Sequence, residues 1–204
     1  MIFKRRSRPS RKDSLADLAP TLGMQFSEKD EIRVLKLLLD FKLFRIGGSK
    51  KLKNLLWINE EDLKTRIFDY QYTVSTGNTS QTYQQTVFFF YSKQLGLPHF
   101  RLQPEKFIHK VGAWLGWNDI DFATHEEFSD EYHLTGEDDE LVRDTFTEPV
   151  LQYFSFKRDW TVEGLNYFLI IYRRSKRLPP PEIARHYRTA KEIFHVLKNE
   201  GFNV

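Results

Sequence analysis

Ile67-Phe68-Asp69-Tyr70-Gln71-Tyr72-Thr73-Val74 is the stretch whose reading decides the fold. Its side chains alternate with period two, so an extended backbone sets Phe68, Tyr70, Tyr72 and Val74 on one side of a sheet. Working outward, Leu52–Asn59 and Tyr83–Ser92 are also rich in β-branched and aromatic residues. They are separated from the central stretch by the polar turns Glu60-Glu61-Asp62 and Thr76-Gly77-Asn78-Thr79-Ser80. This pattern predicts a three-strand antiparallel meander. Thr86–Tyr91 is apolar on both faces, which places the third strand centrally.

Further along, Trp160–Glu163, a turn around Gly164 and Tyr167–Arg173 read as a hairpin stopped by Pro179-Pro180-Pro181. Helices are expected around these strands. Leu15, Leu18 and Leu22 mark a short helix over Ser14–Leu22, capped by Asp13 or Ser14. A second is expected from Ser27 through Ile32, Leu35, Leu38 and Leu39. A third begins at Pro104-Glu105 and carries Phe107, Ile108, Val111, Trp114 and Leu115. Asn118–Phe122 reads as a short strand, Thr124–Phe128 as a helical turn and Tyr132–Leu134 as extended chain. Asp138–Phe154 is periodic for a helix, with Pro149 an irregularity and the acids Glu137–Glu140 at its positive end. Ile183, Tyr187, Ala190, Phe194 and Leu197 form the cleanest helical stripe. The fold class is therefore α+β: a mainly antiparallel sheet, meander plus hairpin, flanked by amphipathic helices.

The chain has 204 residues, 40% hydrophobic and 15% aromatic, enough for one aromatic-rich core and with no interior linker. Residues 13–204 read as a single domain and residues 1–12 as a basic tail. There is no cysteine, which excludes disulfides and thiolate chemistry within the chain. Met1-Ile2-Phe3 runs straight into Lys4-Arg5-Arg6, and no apolar run approaches the roughly 20 residues that span a bilayer. A cytoplasmic location is the expectation.

The net charge of +3 is small, and its distribution says more. Lys4, Arg5, Arg6, Arg8, Arg11 and Lys12 are acid-free, Asp119–Asp144 is strongly acidic, and Arg173, Arg174, Lys176 and Arg177 open a second basic run. Six cations within the first twelve positions repel one another unless matched to an anionic surface, and each Lys or Arg near an acidic membrane contributes about 1 kcal/mol. These ten residues are the candidate partner- or anion-binding set. Nucleic acid is disfavoured as a partner, because no basic recognition helix or basic-aromatic sheet face is discernible.

Other chemistry finds less support. Asp119, Asp121, His125, Glu126, Glu127, Asp130, Glu131 and His133 supply metal-ligand and acid/base residue types, the basis of an alternative reading as a metal-dependent or acid/base enzyme. Their spacing matches neither a calcium loop nor a zinc helix, so no metal or cofactor is assigned. Gly47-Gly48-Ser49-Lys50-Lys51 lacks the spacing of a phosphate loop and reads as a basic connection. No nucleophile elbow or triad spacing occurs. Trp57, Trp114, Trp117 and Trp160 read as core, with Trp117 the exception because it sits just past its helix's apolar stripe.

Arg66–Tyr72, Gln85-Thr86-Val87, Leu97–Glu105, Asp119–Phe122 through His125–Ser129, and Thr161–Gly164 together resemble a family of uncharacterised bacterial proteins over most of the chain from about Leu15. That resemblance implies no activity, cofactor or catalytic residue. Members often carry an N-terminal membrane anchor, so it implies work at the cytoplasmic face of a membrane; this sequence departs from them in having only the basic tail, which tells against direct anchoring. The combined expectation is a non-catalytic interaction module docking on a larger, membrane-associated protein assembly, with an anionic membrane surface as the other candidate partner.

Overall fold

The alternating stretch forms the third strand of an eight-stranded sheet in which every pairing is antiparallel. The computed structural model describes residues 9–30, 33–110, 117 and 119–198. Its strands are β1 (Gln25–Lys29), β2 (Gly48–Asn59), β3 (Lys64–Thr76), β4 (Thr79–Tyr91), β5 (Leu97–Pro104), β6 (Tyr132–Gly136), β7 (Thr161–Asn166) and β8 (Phe168–Tyr172). The helices are α1 (Arg11–Thr21), α2 (Val34–Leu37), α3 (Lys42–Arg45), α4 (Glu126–Glu131), α5 (Asp139–Thr145), α6 (Glu148–Phe156) and α7 (Pro180–Leu197), with a 3-10 turn at Glu105–Lys110. In space the strands run β1-β2-β3-β4-β8-β7-β5-β6, so the expected meander and hairpin are joined edge to edge and β4 lies inside the sheet.

The period-two reading holds in detail. Ile67 packs on one face with α7, while Phe68, Tyr70, Tyr72 and Val74 pack on the other. β3 and β4 pair residue for residue from Lys64↔Tyr91 to Thr76↔Thr79. Gly77, with φ of 56°, and Asn78 make the two-residue reversal that such twisted hairpins favour. Cross-strand hydroxyl pairs Thr73–Thr82, Ser75–Ser80 and Thr76–Thr79, at 3.1, 2.9 and 3.2 Å, line its exposed end.

Several expectations need correction. Ser27–Leu39 is not one helix: Gln25–Lys29 adds to the edge of β2, with Ser27 opposite Leu55, and among the described residues of the span only Val34–Leu37 is helical. The sheet edge offered Phe26 and Ser27 a ladder that outweighed helical periodicity. Asp30, rather than Ser27, does the capping, accepting from the Val34 and Leu35 N–H groups at 2.7 and 2.9 Å. Asp138–Phe154 is two helices, broken at Phe146-Thr147 because Pro149 starts a new helix more readily than it continues one. The hairpin reverses at Asn166-Tyr167 and not at Gly164, which pairs with Leu169 inside the ladder. Gly164 is there because the Phe100 ring lies where a Cβ would point. Of the expected strand Asn118–Phe122, the described residues 119–122 contribute one isolated bridge, Asp119↔Thr135, in place of a strand. The first helix starts at Arg11, with Ser10 as its cap and Asp13 N–H the donor. Val111, Trp114 and Leu115 of the third expected helix lie outside the described residues.

The sheet's two faces differ in cover. One carries α1, α4, α5, α6 and α7 over a core that includes Phe88, Phe90, Phe100, Phe128, Trp160, Ile183, Tyr187 and Phe194. On the other, among the described residues, only the segment 33–46 with α2 and α3 packs down, through Val34, Leu38, Phe41, Leu43 and Phe44.

Candidate functional site

Of the ten cations singled out by sequence, Lys4, Arg5, Arg6 and Arg8 lie outside the described residues. The other six divide by what they touch. Arg11, at the first turn of α1, grips Asp69 of β3 side-on, with Nε and Nη2 at 2.6 and 2.7 Å from its two oxygens. Its Nη1 donates to the Leu178 carbonyl at 2.7 Å. Asp69 also accepts from Asn54 Nδ2 at 2.9 Å and Thr86 Oγ1 at 3.2 Å, so a nearly buried carboxylate is fully matched. Lys12 pairs with Glu28 at the surface. Arg173 pairs with Asp159, which also holds Lys106, and these two cations keep the Asp159 carboxyl below its usual range. Arg174 donates to the Phe107 carbonyl at 3.0 Å and lies over the Phe107 ring.

Arg11 therefore does more than bind a carboxylate. Through Asp69 and the Leu178 carbonyl it ties the start of the chain to the segment 173–178, and the Thr86 N–H to Lys176 carbonyl bond at 3.2 Å and the Leu178 N–H to Thr86 Oγ1 bond at 3.0 Å fasten that segment to β4. The two basic runs, about 160 residues apart in sequence, meet at one end of the sheet. There the exposed Arg177 joins Lys51 and Lys53 of β2 around a shallow dent of about 50 Å³ lined also by Asn54, Gln71, Gln84 and the Arg11-bound Asp69, and Lys176 is exposed beside it. No ion pair engages Lys51, Lys53, Lys176 or Arg177 among the described residues. Sequence reading placed Lys51 in a basic loop and did not single out Lys53. Their i, i+2 spacing in a strand was the available signal, since it puts both on one face.

The acidic and histidine residues do not converge. His125 Nε2 is 2.8 Å from Glu148, a residue beyond the sequence cluster, and His125 with Gln152 lowers that carboxyl's pKa. His133 Nδ1 stands 3.0 Å from Asp119 but out of line for a hydrogen bond. Among the described residues no three His, Cys, Asp or Glu side chains gather as a metal site. Glu126 and Glu127 sit in the first turn of α4, and with His125 and Glu148 they border an open depression of about 460 Å³.

Two features of the thinly covered face were not foreseen. The first is an ionic cluster under α3. Glu163, 1% exposed, accepts from the Lys42 and Leu43 N–H groups at 2.7 and 3.3 Å and from Tyr172 Oη at 2.9 Å, and Arg101 Nε lies 3.7 Å away. Lys42 Nζ sits 3.4 Å over the Trp117 ring, and burial followed by the nearby Arg101 charge pushes its ammonium down to about 8. Trp117, the tryptophan expected to stand apart from the core, is half-buried, with His99 edge-on at 4.6 Å. The second feature is a groove of about 430 Å³ at the opposite end of this face. Trp57 and Asn59 of β2, Lys64 and Arg66 of β3, Phe89 and Tyr91 of β4 and Phe168 of β8 form its floor, and Val34 and Leu37 of α2 its wall.

No helix among the described residues is long and apolar enough to cross a membrane. No protein-family model matches the chain, and no curated protein does. Among solved structures, the mycobacterial trehalose monomycolate transport factor A, TtfA, is similar, with a TM-score of 0.64 and 10% identity over 93% of this chain and 96% of that one. At that identity the likeness is one of fold: the chain shares the α+β architecture of a transport factor along nearly its whole length.

Proposed function

We propose that this protein is a non-catalytic interaction module that docks, at the cytoplasmic face of a membrane, on an acidic surface of a larger protein assembly. The observation that carries this reading is the convergence of the two basic runs at one sheet end, held by Arg11 on Asp69. Lys51, Lys53, Lys176 and Arg177 stand exposed there, and Lys4, Arg5, Arg6 and Arg8 precede the residues that reach it. Cations arranged this way steer association with an anionic surface and make it salt-dependent. A fold shared with a transport factor is compatible with such a role. The test is retention on membrane vesicles from the source cells, untreated or shaved with protease. Salt-sensitive retention on untreated vesicles is expected, with loss on shaved ones and loss when Lys51, Lys53, Lys176 and Arg177 are reversed to Glu. Equal retention of the charge-reversed protein would refute the role of this surface, and equal retention on shaved vesicles would replace the protein partner with lipid.

A further inference from the structure

Arg66 is 8% exposed, yet no carboxylate pairs with it among the described residues. Its Nη1 donates to the Ile58 and Thr65 carbonyls at 2.9 and 2.8 Å, and Nη2 to Asn59 Oδ1 at 2.6 Å. All three acceptors are neutral. A buried charge without a counter-charge is disfavoured, and here burial alone lowers the guanidinium's pKa. The Nε–H and one Nη2–H have no protein acceptor among the described residues. These are the two nitrogens with which Arg11 holds the Asp69 carboxylate. Arg66 lines the aromatic groove, with its guanidinium 5.6 Å from the Trp57 ring centre, and Lys64 adds a second cation 5.2 Å over Tyr91. Among the described residues that line it there is no acid.

The rest of the lining says what the occupant's other end must be. Val34, Leu37, Trp57, Phe89, Tyr91 and Phe168 offer apolar and aromatic surface without a donor or acceptor other than the Tyr91 hydroxyl and, for Trp57, the indole N–H. The four floor strands are paired with one another, so the groove offers no free backbone edge to a peptide strand. Its volume of about 430 Å³ falls within the range of small-molecule sites, whose few polar groups orient an apolar body.

We propose that this groove binds a single-chain amphiphile with a carboxylate head, the carboxylate forked on Arg66 and the chain lying across Trp57, Phe89, Tyr91 and Phe168. The site is separate from the basic sheet end and independent of the docking role assigned to it. The test is calorimetric titration of the full chain with dodecanoate below its micellar concentration, beside the uncharged methyl ester. Saturable one-to-one binding of the acid is expected, weakened roughly tenfold for the ester and for Arg66→Gln. Leu37 is half exposed, so Leu37→Asp should fold and, by placing an acid at the groove wall, abolish binding. Absence of saturable binding, equal affinity for acid and ester, or unchanged binding by Leu37→Asp would each overturn the proposal. So would an acidic amphipathic peptide that perturbs these residues when dodecanoate does not.

Discussion

Two faces of one strand make the central contrast in this molecule. Along β4, Phe88 and Phe90 face the helix-roofed side, where Phe90 stacks near Tyr187 and Phe194 of α7. Phe89 and Tyr91 point the other way, onto Phe168 and the open groove. The composition of the four residues is nearly uniform, but one pair is sealed by a long amphipathic helix, whereas the other, with Phe89 buried and Tyr91 partly exposed, borders a groove that α2 walls on one side and that no helix roofs among the described residues. Apolar residues that no helix covers are where a ligand or partner can be accommodated, and those under a roof serve stability.

That difference can be broken by substitution. The largest effects should come from the sealed interior. Phe90→Ala should cost about 3–5 kcal/mol in chemical denaturation, since α7 cannot follow the lost ring. Glu163→Gln should cost a comparable amount, about 3–5 kcal/mol, because it leaves Arg101 buried without its carboxylate. A loss below about 1 kcal/mol in either would show that the face in question repacks freely. Next in size is Asp69→Asn. Removing the charge that Arg11 grips should cost about 1.5–3 kcal/mol, the range for hydrogen bonds to charged groups, and loosen the 173–178 segment in hydrogen exchange. By contrast, Tyr91→Ala, on the groove floor, should cost only about 1 kcal/mol, because its ring is already partly in solvent. A cost as large as that of Phe90→Ala would mean the open face is as structural as the roofed one.

The last expected effect concerns pH. Lys42 titrates near 8 in the folded protein and near its ordinary 10.5 when unfolded. Between those values the unfolded chain binds more protons, so this residue makes stability rise as pH increases through 8 towards 10. Lys42→Met should remove that rise without changing the loss at higher pH, where burial holds the Tyr70, Tyr132, Tyr153 and Tyr172 hydroxyls protonated in the fold but not in the unfolded chain. Parallel stability curves for the two proteins between pH 8 and 10 would refute the assignment.

Legibility followed the range of the interactions. The faces of β3, the stripe of α7 and the β3–β4 turn could all be read from spacing, because each depends on neighbours within one or two turns of chain. Ser27 was misread because the alternative to a helix was a sheet edge contributed by residues near Leu55. Gly164 was misread for a similar reason: its meaning lies in the Phe100 ring of another strand. Of the candidate site, Lys176 and Arg177 were recognised as basic, but not that Lys51 and Lys53 would join them. Arg11 was counted among the binding cations, and it is the internal clasp. Nothing in the pattern around Arg66 distinguished a guanidinium lacking a counter-charge from an ordinary surface arginine.

By itself the sequence determined the α+β class, the alternation that gives the sheet its two faces and the helix that roofs one of them. These follow from side-chain direction along a strand or helix, which is set by local backbone geometry. Only the tertiary structure decided which apolar face the described helices cover thinly, which buried charges were matched and where the two basic runs met. Each of these depends on contacts between residues far apart in the chain, whose pairing is settled by how elements fill space rather than by their order.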